Sequence, residues 1–397
     1  LMKWPAARRC GTTSASAFQT RSAAKIIESQ YITRSIENRA EQLIQESEQL
    51  SRLNSISGQL SNLSLRLYGI FLKTGHARSE AEAEEVKEVF RKGLPEYNFS
   101  ELGFREKHWL YKASLWYSFI SQDFLSCFRY SKKWIGLFEE NPHLISLHPV
   151  SYLKGNHYLL ESLFLLGHPK LFEKVLNDLE KSLKDSKIPD DDNIAALAFL
   201  YLYSNKLNLR FMKADFEDGQ PLVDKIQNKI RKYSDRLDEH HIMIFYYKIG
   251  CLYFGAGDNK KCIEFLQKII NNKSLETRED LMCFSRILNL VAHYEAGLDY
   301  HLEKLIRSTY KFLIRMNDLH EVQKEMIRFL RNLPNISPLE IKGEFRRLHQ
   351  TLKQYEDHPY ERRAFLYLDI ISWLESKIED KPVAEIMKQK VKELQRA

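Results

Sequence analysis

Apolar residues recur along this chain at spacings of three and four, the mark of helices that bury one face. Leu60, Leu63, Leu67, Ile70 and Phe71 define such a face between Gly58 and Thr74, and Gly75-His76 ends it. Ser79 followed by Glu80, Glu82, Glu84 and Glu85 predicts the next helix start, since a hydroxyl cap and negative charge both suit the N-terminal end of the helix dipole. An earlier helix is predicted over 26–50. Antiparallel pairs are predicted over 105–121 with 124–139, 152–166 with 171–183, and 194–213 with 221–237. A further pair opens at Asp238-Glu239, and another spans 277–296 with 300–316. Residues 141–149 read as a loop, and the acids at 190–192 read as caps for the helix after them. Shorter helices are expected over 319–333, 338–355 and 360–377, with Pro382 opening a last polar helix.

Turns inside successive pairs fall near Gln122, Gly167, Lys213, Gly257 and Gly297. The pattern thus repeats at about 40–45 residues, the trace expected of a stacked array of helical hairpins. Alternating β-branched stretches are scarce. The fold class read from the chain is all-α: an α-solenoid of stacked antiparallel hairpins.

The clearest unit is Tyr246 to Ile269, two helices joined by Gly257-Asp258, with Gly250 where the helices must touch and Tyr253 three places later. This unit resembles the tetratricopeptide-like repeats. Tyr246, Ile249-Gly250 and Tyr253 stand for the family's first helix, and Cys262, Leu266 and Ile269 for its second. Tyr111, Phe124 and Cys127 match part of the pattern without the glycine, and the pairs at Gly167 and Gly297 keep the turn glycine. The period exceeds the family's usual ~34 residues, so the array is degenerate, similar in texture to uncharacterised bacterial proteins of this type.

The resemblance implies a solenoid and a partner-binding role and supplies no reaction. It also implies that the first helix of each pair lines a concave groove. Aligned by their turns, the groove residues would be Trp109, Lys112, Trp116 and Phe119, then Lys154, His157, Glu161 and Phe164. Tyr247, Cys251 and Phe254 follow, then Ile287, Val291 and Tyr294. Their aromatic bias suits an apolar helix or extended segment of a protein or peptide partner. The family's clamp for C-terminal carboxylates is not reproduced, because no Asn stands at these places. Each aromatic also has the plainer role of packing between neighbouring helices.

Composition changes little. The net charge of +7 is spread among acids along the helices, with no dense basic run, so no nucleic-acid partner is expected. Cys10, Cys127, Cys251, Cys262 and Cys283 form no CxxC pair and fit a reducing, cytoplasmic setting. The longest apolar run, Ala195 to Tyr203, is less than half the ~20 residues that cross a bilayer, so no membrane partner is expected. Residues 1–25 are rich in Ala, Ser and Arg and hold no acid. They read as an unstructured leader or targeting segment at an incomplete start, with the helical array over 26–397 and a polar capping helix near 382–397.

No catalytic or metal motif stands out, and no cofactor is expected. His320-Glu321 lacks a second histidine one turn on, and His240-His241 point about 100° apart on a helix. No phosphate loop or nucleophile elbow occurs. Lys154, His157 and Glu161 share one side of an apolar helix, as a solvated ion-pair stripe or as a polar patch in a groove. The leading expectation is a non-catalytic protein- or peptide-binding scaffold. Its rivals are a ligand-sensing regulator with a missing N-terminal effector domain, and an α/α hydrolase using acids from distant helices.

Overall fold

The computed structural model describes residues 14–30, 38–184, 188–217, 219–272, 279–315, 321–337, 339–356, 358, 365 and 369–396. Among these, every regular element is helical. The chain divides into two units, 1–148 and 149–397.

The first unit holds α1 (Ser14–Gln30), α2 (Arg39–Thr74), α3 (Glu80–Gly93), a single 3-10 turn (Phe99–Glu101), α4 (Phe104–Ile120), α5 (Phe124–Glu140) and the short α6 (Leu144–Leu147). Helix α2 runs unbroken through 51–58, where the sequence suggested a gap. Gly58 is exposed with nothing near its Cβ position, so it weakens the helix by ~1 kcal/mol without disturbing packing. Leu60, Leu63 and Leu67 bury the face the spacing predicted. α1 packs along α2, with Arg21 Nε 2.9 Å from Glu46, so residues 14–25 of the expected leader are helical. At the start of α3, the Ser79 hydroxyl accepts from the Glu82 N–H as expected.

The second unit begins with α7 (Pro149–Leu165), α8 (Pro169–Ser182), α9 (Asp192–Met212), α10 (Gln220–Lys232), α11 (Glu239–Gly255) and α12 (Asn259–Ile270). It continues with α13 (Glu279–Glu295), α14 (Asp299–Arg315), α15 (Glu321–Asn332), α16 (Ile341–Lys353), α17 (Ile370–Glu379) and α18 (Val383–Arg396). α7 packs with α8, α8 with α9, and each helix from α11 to α16 with the next, while α7 also packs on α9, α9 on α11, α11 on α13 and α13 on α15. This double duty shows in burial. α8, α10 and α12 bury one stripe each, such as Phe172, Leu176 and Leu179. α11 buries Met243, Phe245, Tyr247, Ile249, Gly250 and Leu252, which together cover most of its circumference. Gly250 is small for a reason: a Cβ there would lie 3.2 Å from Leu266 Cδ2 on α12.

One turn design recurs in both units. Gln122, Gly167, Ala214, Gly257, Gly297 and Asp380 all have positive φ, between 49° and 78°. After each, the next residue's N–H reaches back five positions: Asp123 to Ser118, His168 to Leu163, Asp215 to Arg210, Asp258 to Tyr253, Leu298 to His293 and Lys381 to Ser376. This is the Schellman bond that satisfies an orphaned helix carbonyl. Asp123 and Asp258 then accept an N–H of the following helix, so one residue closes the first helix and caps the second. The first five turns are about 40–47 residues apart, within the range of helical-repeat periods.

Candidate functional site

The polar residues α7 was expected to present are joined in the second unit by others from α9 and α11. The His157 ring stacks on Tyr201 at 4.3 Å with 8° between the planes. Asn205 Nδ2 lies 3.3 Å from His157 Nδ1 and donates to the Tyr201 carbonyl, while Asn208 Nδ2 bonds Asn205 Oδ1 at 3.4 Å. Since Asn205 offers a donor, His157 Nδ1 accepts, which makes the imidazole neutral with its proton on Nε2. On the next helix, Lys248 Nζ donates to Ser204 Oγ at 2.7 Å. Tyr201, Ser204, Asn205 and Asn208 are buried and form a floor. Lys154, His157, Glu161, Lys248 and Cys251 are half-buried and form the reachable layer above it.

Burial governs the chemistry of that layer. It pushes His157 down to about 3, helped by the nearby Lys248, His241 and Lys154 charges. It lowers Lys248, against the opposing pull of Glu161 and Cys251. It raises the Cys251 thiol to about 12 despite a hydrogen bond from Tyr247 and the Lys248 charge. The cluster therefore holds a neutral imidazole, a protonated thiol and an amine whose charge is disfavoured.

The remaining sequence candidates are placed variously. In the first unit, Trp116 is 3% exposed and packs among Tyr68, Phe71 and Phe119. Trp109 is half-buried, with Lys112 Nζ 4.7 Å above its ring. Beside it, His108 packs on Trp134 at 4.9 Å, and burial lowers it to about 3, with Lys112 and His148 adding. In the second unit, Tyr247, Phe254, Ile287 and Val291 are buried, and Phe164 is half-buried. Tyr294 is half-buried against Phe345 and Trp373.

Lys248 and the α9 residues were missed by the sequence reading. The signal was present: Ser204-Asn205 and Asn208 follow the long apolar run of α9 that ends at Tyr203. With the turn fixed at Ala214, Tyr201, Ser204, Asn208 and Phe211 take the same four places as Lys154, His157, Glu161 and Phe164 take before Gly167.

A separate feature of this unit is a cleft of about 810 Å³, lined among others by Gln220, Tyr253, Asn259, Lys261, Lys381 and Lys388. Lys388 Nζ bonds Glu217 at 2.7 Å at its edge. Among the described residues, no group of three or more His, Cys, Asp or Glu could hold a metal ion. His241 Nδ1 instead lies 2.7 Å from both oxygens of Asp238, and His320 lies outside the described residues. No described helix is long and apolar enough to cross a membrane.

Comparison of the chain with protein families, curated proteins and solved structures finds no match in any of the three.

Proposed function

We propose that the hairpins of the second unit form an α-solenoid of tetratricopeptide-like repeats, and that the face shared by its first helices binds a protein or peptide segment without catalysis. The observation that carries this reading is the packing of α7, α9, α11, α13 and α15 each on the next. Helices arranged in such a series bring side chains of neighbouring first helices into contact, as His157 with Tyr201 and Ser204 with Lys248. Half-buried ionisable groups then sit among apolar neighbours, which suits an interface with fixed register. The repeated Schellman turns support the same reading.

The test is a panel of immobilised peptides probed with the full chain, comparing wild type with Lys154→Glu and Glu161→Lys. Both substituted residues are half-buried at the reachable layer, so the fold is expected to survive. Selective peptide binding that either reversal changes supports the reading. A folded wild type that binds no peptide, or binds the same set as both variants, refutes it.

A further inference from the structure

Lys248 differs in its partner from the lysines around it. Lys206, one helix away, is also half-buried, and its Nζ bonds the Glu180 carboxylate at 2.8 Å. Lys213, Lys377 and Lys388 likewise each meet a carboxylate, on Glu173, Glu295 and Glu217. Lys248 meets a hydroxyl, Ser204 Oγ, at 2.7 Å, and among the described residues no carboxylate lies within ion-pair distance of it. A hydroxyl carries no charge and supports the ammonium less than a carboxylate does, and its own O–H can donate to the lone pair of a neutral amine, so this partner serves both protonation states. The surroundings do little more. On α7 the ionisable groups of this layer are Glu161, which favours the ammonium, Lys154, a second cation, and His157, which is held neutral. On its own helix it is Cys251, a protonated thiol. The groove positions of α13, the next helix packed on α11, are Ile287 and Val291, both buried and uncharged, and Tyr294, which lies against Phe345 and Trp373. An amine taken partly out of water without a paired anion holds its proton less tightly than a solvated lysine, so a larger share of it is in the neutral, nucleophilic form.

We propose that Lys248 is a reactive amine, the site at which a small aldehyde condenses on this face of the second unit. The lone pair of the neutral Nζ attacks the carbonyl carbon, forming a C–N bond and a carbinolamine. The former carbonyl oxygen leaves as water, carrying the two protons the amine brought, and a C=N bond remains. No oxidant or reductant takes part. Ser204 Oγ holds Nζ against the buried floor at 2.7 Å, and Lys248 keeps part of its surface exposed. The inference is independent of the peptide-binding reading, because labelling and peptide capture can succeed or fail separately.

The experiment treats the folded chain at pH 7 with limiting formaldehyde and cyanoborohydride, which traps each imine as a methylated lysine, and maps the sites by mass spectrometry. Lys248 is expected to label several-fold ahead of Lys206 and of the exposed Lys87 and Lys92, and to lose its lead in denaturant. Glu161→Gln removes the charge that favours the ammonium and should widen the lead. Ser204→Asp supplies a carboxylate partner and should abolish it. Labelling of Lys248 no faster than Lys206 in the folded wild type overturns the proposal, as does a lead that Glu161→Gln narrows.

Discussion

Lys268 Nζ lies 5.5 Å from the centre of the Tyr246 ring, and these residues stand eleven places either side of Gly257. Lys133 lies 5.8 Å from Tyr111, eleven places either side of Gln122. Around Ala214 the pair is Tyr203, eleven before, with Lys229, fifteen after, at 5.9 Å. Around Gly297 the chemistry is exchanged: Arg286, eleven before, lies 4.3 Å from the ring of Phe312, fifteen after. A cation over a ring thus joins first helix to second in four hairpins, in either order. The hairpin at Gly167 holds Asn156 and Asp178 at these places instead. This recurrence supports the repeat reading independently of the turns.

The pair at Tyr246 should carry measurable energy. A double-mutant cycle of Tyr246→Leu and Lys268→Met is expected to give a coupling of about 0.5–1 kcal/mol by chemical denaturation. Lys268 also lies 4.2 Å from the Phe265 ring, so the single lysine substitution should cost more than the coupling alone. A coupling indistinguishable from zero would reduce the contact to geometry.

The turns make a separate prediction. A Cβ at Gly257 would meet nothing within 4 Å, so the cost of Gly257→Ala comes from holding φ at +78° alone, about 1–2 kcal/mol. Ala214 already bears that strain at φ 49° with its methyl fully buried. Ala214→Gly therefore relieves strain but gives up ~0.8 kcal/mol of methyl burial, and little net change in the denaturation midpoint is expected.

How much of this could be read from the chain follows from where the information lies. Helix limits were legible because caps and breakers are local: Ser79, Asp191, Asp238 and Asp258 each accept the backbone N–H their position foretold. The continuity of α2 was not, since Gly58 looks like a breaker unless one knows that its helix is held by Leu60 and Leu63. The glycine missing from the hairpin at Gln122 has a counterpart. The places of Gly250 and Leu266 hold Leu115 and Ser131 there, both fully buried, so the small residue stands on the second helix. The candidate site was half legible. Lys154, His157 and Glu161 share a helix and show a period, but the partners of His157 lie about 45 residues on and Lys248 about 90 on, beyond any local pattern.

Gly255 makes a closer contact than Gly250. An added Cβ would lie 2.4 Å from the Phe216 ring, against 3.2 Å from Leu266 at Gly250. Gly255→Ala is expected to cost about 1–3 kcal/mol, more than Gly250→Ala, because an aromatic ring yields less than the end of a leucine. Phe216→Leu should restore part of the loss in the double variant. Equal costs for the two glycines would show that Phe216 moves freely.

Acid should weaken both units through two half-buried histidines. His108 and His157 titrate near 3 when folded, against 6.5 for a free histidine. Between those values the unfolded chain binds more protons, so their contribution is complete above about pH 6.5 and is lost as pH falls towards 3. His157→Gln and His108→Gln should each flatten the slope of stability against pH in that window, by at most about 1.4 kcal/mol per pH unit. A variant slope equal to wild type would mean that the ring reaches water.

Glu295 sets how α17 is held. One of its oxygens accepts Trp373 Nε1–H at 2.7 Å and the other accepts Lys377 Nζ at 2.6 Å, which ties the end of α13 to α17 past α14, α15 and α16. Its side chain is 16% exposed, so removing it strands an indole N–H and an ammonium away from full solvation. Glu295→Ala is expected to cost about 2–3 kcal/mol. Glu295→Gln keeps an acceptor for Trp373 and should cost less. Because the lost bonds are confined to α13 and α17, amide exchange should quicken in α17 and α18 while α7 and α9 keep their protection. Uniform loss across the unit would show that α17 unfolds only with the rest.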